Sequence, residues 1–483
     1  MPLPQTRTRD PLRAQHAAVI DLSFGDAGKG TTIDWLTAQH LHDADDAAAR
    51  RAVTIVRFNG GAQAAHNVVT PQGSHHTFAQ FGAGTLHATP RRPVMTYLSR
   101  FMLLEPFALA AEADALAALG VPDPWALLRV DAAALLTTPY HAAVNQIREL
   151  AREVSGEGRH GSCGIGVGHT AEWALDHDAP RVGDIDSPQR LGRRLGELRD
   201  WVTDTLADQL ATIGARAEEL LPPVADLVDA YDAIRGRFTV VEGPWLAGPL
   251  NRGRVLFEGA QGVLLDEWRG FHPHTTWSTT TGANISTLLA EAGTAPADLE
   301  DPEYVHRLGV LRAYTTRHGA GPMPTDTPGL REALPEPHNG RGQWQGTFRV
   351  GAFDTVAHRY ALEVAGRIDS LAVTHLDSVT STNVTCPPTG PRIGFCDQYT
   401  LADGSPLDRL LPGPFTDLSY QEKLTALLHQ AHAPVTAEPE DPRSTQSWVE
   451  AIAARTALPV TVTSTGPTWE DKQSAHRPHC RAR

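Results

Sequence analysis

The stretch Ala17-Ala18-Val19-Ile20-Asp21-Leu22-Ser23-Phe24-Gly25-Asp26-Ala27-Gly28-Lys29-Gly30 decides how the rest of the chain is read. An apolar run of strand length empties into three glycines and a lysine, and a helical pattern opens at Thr31. Glycines let backbone N–H groups approach oxygen atoms closely, and a helix N-terminus adds positive potential, so the segment is built to cradle phosphate. It departs from the P-loop pattern G-x-x-x-x-G-K-[ST]. Ser23 stands at the first glycine and Gly30 at the hydroxyl residue, with Thr31 and Thr32 behind it. Its distinguishing feature is Asp26, a carboxylate inside an anion site. Such a group repels the ligand unless it binds a metal, takes a proton, or does both.

Short β-type runs at 52–58, 254–258, 370–374 and 458–464 alternate with helical stretches at 106–119, 141–153, 188–210 and 352–365. Ser187 followed by Pro188 is a helix start. The alternation predicts an α/β fold: a central, mostly parallel twisted sheet covered by helices, P-loop-like, with ligands at the carboxyl ends of the strands. Glycines cluster after strands, at 59–65, 156–168, 259–262 and 319–324, in loops of functional length. Residues 334–346 read as a mobile loop. We expect one large unit over 17–470 between polar tails at 1–16 and 471–483.

The formal net charge of −14 excludes general polyanion binding, which needs a basic face, so nucleic acid is not an expected partner. A small phosphorylated ligand held by a few local donors remains compatible with it. Cys163, Cys386, Cys396 and Cys480 form no C-x-x-C pair and read as reduced thiols in a cytoplasm. No segment resembles a signal peptide or approaches the length of a membrane span, so a cytoplasmic protein without a membrane partner is expected.

Further motifs follow the same plan. Val56-Arg57-Phe58-Asn59-Gly60-Gly61-Ala62-Gln63-Ala64-Ala65-His66 runs from strand to glycine turn to histidine. If its strand end neighbours the first, His66 faces Asp26 as a proton donor; otherwise it is a structural hydrogen-bonding residue. Phe257-Glu258-Gly259-Ala260-Gln261-Gly262-Val263-Leu264-Leu265-Asp266 is another strand entering a turn, and the run from Gly309 to Thr325 is too irregular for simple scaffold. Taken in order with Thr138-Pro139-Tyr140-His141, Arg181-Val182-Gly183-Asp184, Thr374-His375-Leu376-Asp377 and Ser464-Thr465-Gly466-Pro467, these segments resemble the adenylosuccinate synthetase family. The resemblance covers residues 17 to 470.

That resemblance implies a homodimeric ligase that joins IMP and aspartate at the expense of GTP, with Mg²⁺. It implies that Asp26 takes the purine N1 proton and touches Mg²⁺, so that O6 attacks the γ-phosphate. His66 would act as general acid on the transferring phosphoryl group. Lys29 would neutralise phosphate charge, with Gly25, Gly28, Gly30 and Thr31 in the same nucleotide loop. Asp377 falls on the guanine-reading carboxylate, which accepts from N1–H and N2–H₂. Outside the family it would read as a strand-end cap. His375, Ser464, Gly466 and Pro467 match the surroundings of the base. Gln63, Gln261, Thr276 and Arg317 match contacts of the purine monophosphate, Thr347 and Arg349 those of aspartate, and Ala65 a carbonyl ligand of Mg²⁺.

Departures from the family lie on the recognition side. Ala27 replaces an acidic residue and Thr31 a lysine, while Ala62, Gln63 and Ala65 replace asparagine and glycine. The run His160-Gly161-Ser162-Cys163-Gly164-Ile165-Gly166-Val167 replaces a threonine-pair and arginine pattern that holds the purine phosphate. No arginine follows it to match the one lent by a partner subunit; residues 173–178 take that place. The aspartate loop reads Gln343-Trp344-Gln345-Gly346-Thr347-Phe348-Arg349, so Arg349, with Arg341 upstream, replaces a run of arginines. His375 stands for a lysine. IMP, GTP and aspartate are the expected substrates; (d)GMP with ATP, a different amine, or a silent nucleotide-binding paralogue are the alternatives. Retention of Asp26 and His66 argues against silence, and Asp26 favours IMP, because phage relatives using dGMP carry a smaller residue there.

Overall fold

The computed structural model describes residues 10–42, 52–156, 164–214, 216–334, 336, 347–385 and 393–475. The central sheet has ten strands: β1 (His16–Asp21), β2 (Val53–Arg57), β3 (Val94–Leu98), β4 (Leu128–Asp131), β5 (Thr239–Val241), β6 (Arg254–Glu258), β7 (Val305–Arg312), β8 (Ser370–Thr374), β9 (Val460–Ser464) and β10 (Lys472–Ser474). Their order is β10-β9-β8-β7-β1-β6-β2-β3-β4-β5. Every neighbouring pair is parallel except β9 with β10.

Strands β1, β2, β6, β7 and β8 are buried along their whole length, as interior parallel strands covered on both faces must be. Successive side chains feed opposite layers. Ala17, Val19, Val53 and Ile55 join one apolar cluster; Ala18, Ile20, Val56 and Phe257 join the other. Helices α1 (Lys29–His42), α2 (Pro106–Ala118), α3 (Pro139–Ser155) and α4 (Pro188–Thr205) pack on the first. Helices α5 (Thr355–Val364) and α6 (Leu376–Thr385) pack on the second.

Some boundaries depart from expectation. The helix read over 188–210 ends at Thr205, because Leu206 (φ −110°, ψ 22°) leaves helical backbone before a second helix, Ala207–Ile213. The helix read from 352 starts at Thr355, since Asp354 caps it by accepting from the Ala357 N–H at 3.0 Å. The tails also need correction at both inner ends. Lys472–Ser474 pairs with β9 at the sheet edge, and the guanidinium of Arg254 holds the carbonyls of Pro11 and Leu12 at 2.6 and 3.1 Å. The loop expected at 334–346 lies outside the described residues except for Leu334 and Glu336.

Strand β1 lies between β6 and β7, where the strand order reverses, and such switch points are where open α/β sheets bind ligands. The register sets Val19 beside Glu258 and Leu308, Glu258 beside Arg57, and Arg312 beside Thr374. Four charged side chains (Asp21, Arg57, Glu258 and Arg312) thus end four neighbouring strands.

Candidate active site

Asp21 is buried at the end of β1. It accepts from the N–H groups of Ser23 (2.9 Å) and Ala27 (3.0 Å) and from Lys29 Nζ (2.8 Å), folding the glycine loop around one carboxylate. Gly25 and Gly28 have φ of 87° and 96°, and Asp26 itself has φ 59°. Asp21→Ala would leave the Lys29 ammonium buried without its partner. It is expected to destabilise the fold by about 3–5 kcal/mol, read as a lower urea midpoint at unchanged m-value. An unshifted midpoint would show that the pair does not organise the loop.

Asp26 is gripped by Arg312, which is 4% exposed at the end of β7. Arg312 Nε donates to the Asp26 main-chain oxygen at 2.6 Å and Nη2 to Asp26 Oδ2 at 2.9 Å. Its Nη1 donates to the Tyr314 hydroxyl at 3.0 Å and to Glu336 Oε1. Burial pushes the Glu336 carboxyl up, but the charges of Arg312 and His375 and the hydrogen bonds from Arg312 and Tyr314 together outweigh it and hold the group at about 2.

His66 begins a short hairpin strand, His66–Val69, on the loop leaving β2. Its Nδ1 lies 2.6 Å from Glu258 Oε1, and Glu258 Oε2 accepts from the Ala83 N–H at 3.0 Å. Burial drives the imidazole down to about 4, against the pull of Glu258 and with help from Arg57 and Lys29. His66 Nε2 is buried with no hydrogen-bond partner among the described residues. The same holds for both polar ends of Gln63 and for Oε1 of Gln261. Buried polar atoms are normally paired, so four orphans on the loops after β2 and β6 mark a place that awaits a polar ligand.

Close approach of backbone explains why these loops meet. A Cβ on Gly30 would lie 2.6 Å from His66 Cβ, and one on Gly262 would lie 2.2 Å from the Ser23 carbonyl oxygen. Glycine therefore lets the His66 loop sit on the first turn of α1, and the Gln261 loop on the loop before it. Strand β6 lies between β1 and β2, so the two strand ends are not neighbours; the His66 loop reaches the glycine loop instead through its contact with the first turn of α1.

On the other side of β1, Thr374 Oγ1 donates to the Ala27 carbonyl at 2.8 Å. His375 follows with φ 58°, and Asp377 stands exposed in the first turn of α6. Ser464 Oγ donates to the Gly466 carbonyl at 3.0 Å, and Thr31 Oγ1 to the Pro467 carbonyl at 3.1 Å. Lys472 Nζ donates to Thr31 Oγ1 at 2.5 Å and to the Thr468 carbonyl at 3.0 Å, strapping the 464–467 loop to α1. Burial brings that ammonium down to about 8 against the attraction of Asp34, Asp471 and Asp377.

Other candidates are placed differently. Arg317 is buried and spends Nε, Nη1 and Nη2 on the carbonyls of Ala320, Pro322 and His274. It shapes the 319–324 loop, because a desolvated guanidinium must find acceptors close by. Arg349 pairs with it across the hairpin of Thr315–His318 and Phe348–Gly351 and donates to Gly319 and Gly321 at 2.8 Å. Burial pushes both guanidinium groups down, Arg317 to about 9. Thr276 is half-buried; Ala65 and Thr347 are exposed. Residues 160–163, Arg341 and 343–346 lie outside the described residues.

Sequence reasoning assigned no role to Asp21, Glu258, Arg312 or Lys472. A signal existed for three of them, since each is a charge ending an apolar strand run. Lys472 carried none.

A mostly parallel sheet whose switch point carries a glycine loop folded on a buried carboxylate, a clamped carboxylate and a carboxylate-backed imidazole has the plan of a phosphoryl-transferring α/β enzyme. The family model for adenylosuccinate synthetase matches residues 18–473. The adenylosuccinate synthetase of Acidithiobacillus ferrooxidans is 32% identical over 476 residues, covering 95% of this chain and 98% of that one. The chain belongs to the adenylosuccinate synthetase family, a family of GTP-dependent ligases. Among solved structures, the fully ligated adenylosuccinate synthetase of Plasmodium falciparum superposes with a TM-score of 0.71 at 19% identity, covering 95% of this chain and 99% of that one. The cyanophage S-2L succinoaminodeoxyadenylate synthetase, bound to dGMP and dATP, gives 0.53 at 16% identity, covering 95% and 94%. These two likenesses concern the fold.

Proposed function

We propose that this protein phosphorylates O6 of IMP with GTP and then forms a C–N bond to L-aspartate, giving adenylosuccinate, GDP and phosphate. The observation that carries the reading is the Asp26 carboxylate, held inside the glycine cradle at the sheet's switch point. A purine amide oxygen is a poor leaving group, and phosphorylation converts it into a good one. Asp26 takes the N1 proton, the electron pair passes to O6, and O6 captures the γ-phosphoryl group as the bond to GDP breaks. The aspartate amine then attacks C6 and phosphate leaves.

Lys29 and the N–H groups of Gly28 and Gly30 meet the β- and γ-phosphates. The orphaned Nε2 of His66 is offered to the same group, and arriving phosphate charge favours its protonated, donating form. Gln63 and Gln261 satisfy their buried polar ends on the purine monophosphate, and Asp377 reads the donor base. Arg349 is the described cation for the dicarboxylate, with Thr347 beside it.

The donor set fits Mg²⁺, which takes one or two carboxylates and fills the rest of its octahedron with phosphate oxygens and water. Asp26 and the Ala65 carbonyl would hold it; among the described residues no group of three or more His, Cys, Asp or Glu could form an all-protein cage. When bound, Mg²⁺ neutralises triphosphate charge. We place the enzyme in the cytoplasm as a homodimer, on family membership; among the described residues no helix is long and apolar enough to cross a membrane.

The test is phosphate release from IMP, GMP or dGMP, with GTP or ATP, with and without aspartate. Aspartate-dependent release with IMP and GTP is expected. Release confined to dGMP and ATP, or none despite nucleotide binding, would overturn the reading.

A further inference from the structure

Arg312 is absent from the chemistry above, yet it holds Asp26 by two bonds at once. We infer that Arg312 is a positioning residue for the Asp26 carboxylate, an inference that rests on the reading of Asp26 as proton acceptor. The contact at the main-chain oxygen (2.6 Å) restrains the peptide after Asp26, and the contact at Oδ2 (2.9 Å) restrains its side-chain rotation. Asp26 needs such restraint. Its φ of 59° lies in the left-handed region, where a non-glycine residue is strained and its surroundings must hold it.

Arg312 can impose the restraint because it has no freedom of its own. It is buried, it ends the central strand β7, and its far edge is taken by the Tyr314 hydroxyl and Glu336. The Tyr314 hydroxyl also donates to Glu336 Oε1 at 2.5 Å, closing the arrangement. Only a planar fork grips a carboxylate and a carbonyl together; an ammonium is a point charge and loses one of the two contacts. The chemistry gains from the pairing as well. When Asp26 takes the N1 proton it becomes neutral, while the guanidinium keeps its charge beside the phosphoryl group in transfer.

Arg312→Ala and Arg312→Lys are compared with Asp26→Asn in aspartate-dependent phosphate release, together with melting of the unliganded proteins. Arg312→Ala is expected to lose about 100-fold in kcat, the scale of a misplaced catalytic group, with KM for each substrate within about threefold. Arg312→Lys is expected to fall between it and the parent while melting close to the parent temperature. Guanidinium ion added to the assay is expected to restore part of the Arg312→Ala rate and none of the Asp26→Asn rate. A normal kcat in Arg312→Ala beside an inactive Asp26→Asn overturns the positioning role and leaves the proposed function standing. A raised KM at unchanged kcat overturns it too, since Arg312 would then bind substrate directly. If Arg312→Ala does not fold, the kcat of Arg312→Lys decides, a parent-like value overturning the role. Turnover by Asp26→Asn removes the reading beneath it.

Discussion

Asp26→Asn is expected to lower kcat by about 10³-fold or more, near the upper range for removal of a general base, while GTP still binds. The exchange keeps size and shape and leaves an oxygen for Arg312 Nη2 to reach, so the loop should keep its form. What disappears is the ability to take the N1 proton. Without that transfer O6 stays a neutral amide oxygen and the phosphoryl group has no nucleophile. Because the loss falls in the transition state, kcat and kcat/KM should fall together. Steady-state rates with nucleotide titrations check both halves, and turnover within about tenfold of the parent would remove Asp26 from this role.

Mild acid is expected to unfold the protein. His16, His66, His141 and His358 are buried, and burial holds their imidazoles at about 3, 4, 3 and 3. Their bonding agrees: His16 Nδ1 accepts the Val255 N–H and His141 Nδ1 the Thr138 N–H, both at 3.1 Å, which requires an unprotonated nitrogen. In the unfolded chain each titrates near its ordinary value of 6.5. Below that pH the unfolded state binds protons that the native state refuses, so stability falls as pH falls and the loss is complete only below the native values. Each histidine contributes about 2 kcal/mol between pH 7 and pH 5, and the four together about 8 kcal/mol, against total stabilities of about 5–15 kcal/mol. Urea midpoints measured at half-unit pH steps check this. A flat profile from pH 7 to 5 would show that these imidazoles gain protons without unfolding.

How much of this was legible beforehand follows from the range of the interactions concerned. Gly25, Gly28, Lys29 and Asp26 announce themselves because the cradle is built from consecutive residues, and the alternation of apolar runs with helical stretches declares the parallel sheet. The His66 assignment needed one piece of tertiary information, that the loop after β2 reaches past β6 to the first turn of α1. Glycine at 30 supplies it only once the structure shows what a side chain there would strike. Arg317 shows the converse. It reads as a ligand contact by resemblance, yet in the fold its guanidinium is consumed by three carbonyls, two of them in its own loop. Lys472 was illegible because its partners, Thr31 and Thr468, are set by an antiparallel strand at the sheet edge, which a polar C-terminal run gives no reason to expect.

The place of β1 bears on how the protein is made. This strand is translated well before the two that flank it, which start at Arg254 and Val305. Until both have been translated, an apolar segment and the loop behind it have nothing to lie between, a sequence separation that slows folding and exposes the nascent chain to aggregation. A fragment ending before Val305 would lack one of the two strands between which β1 is buried.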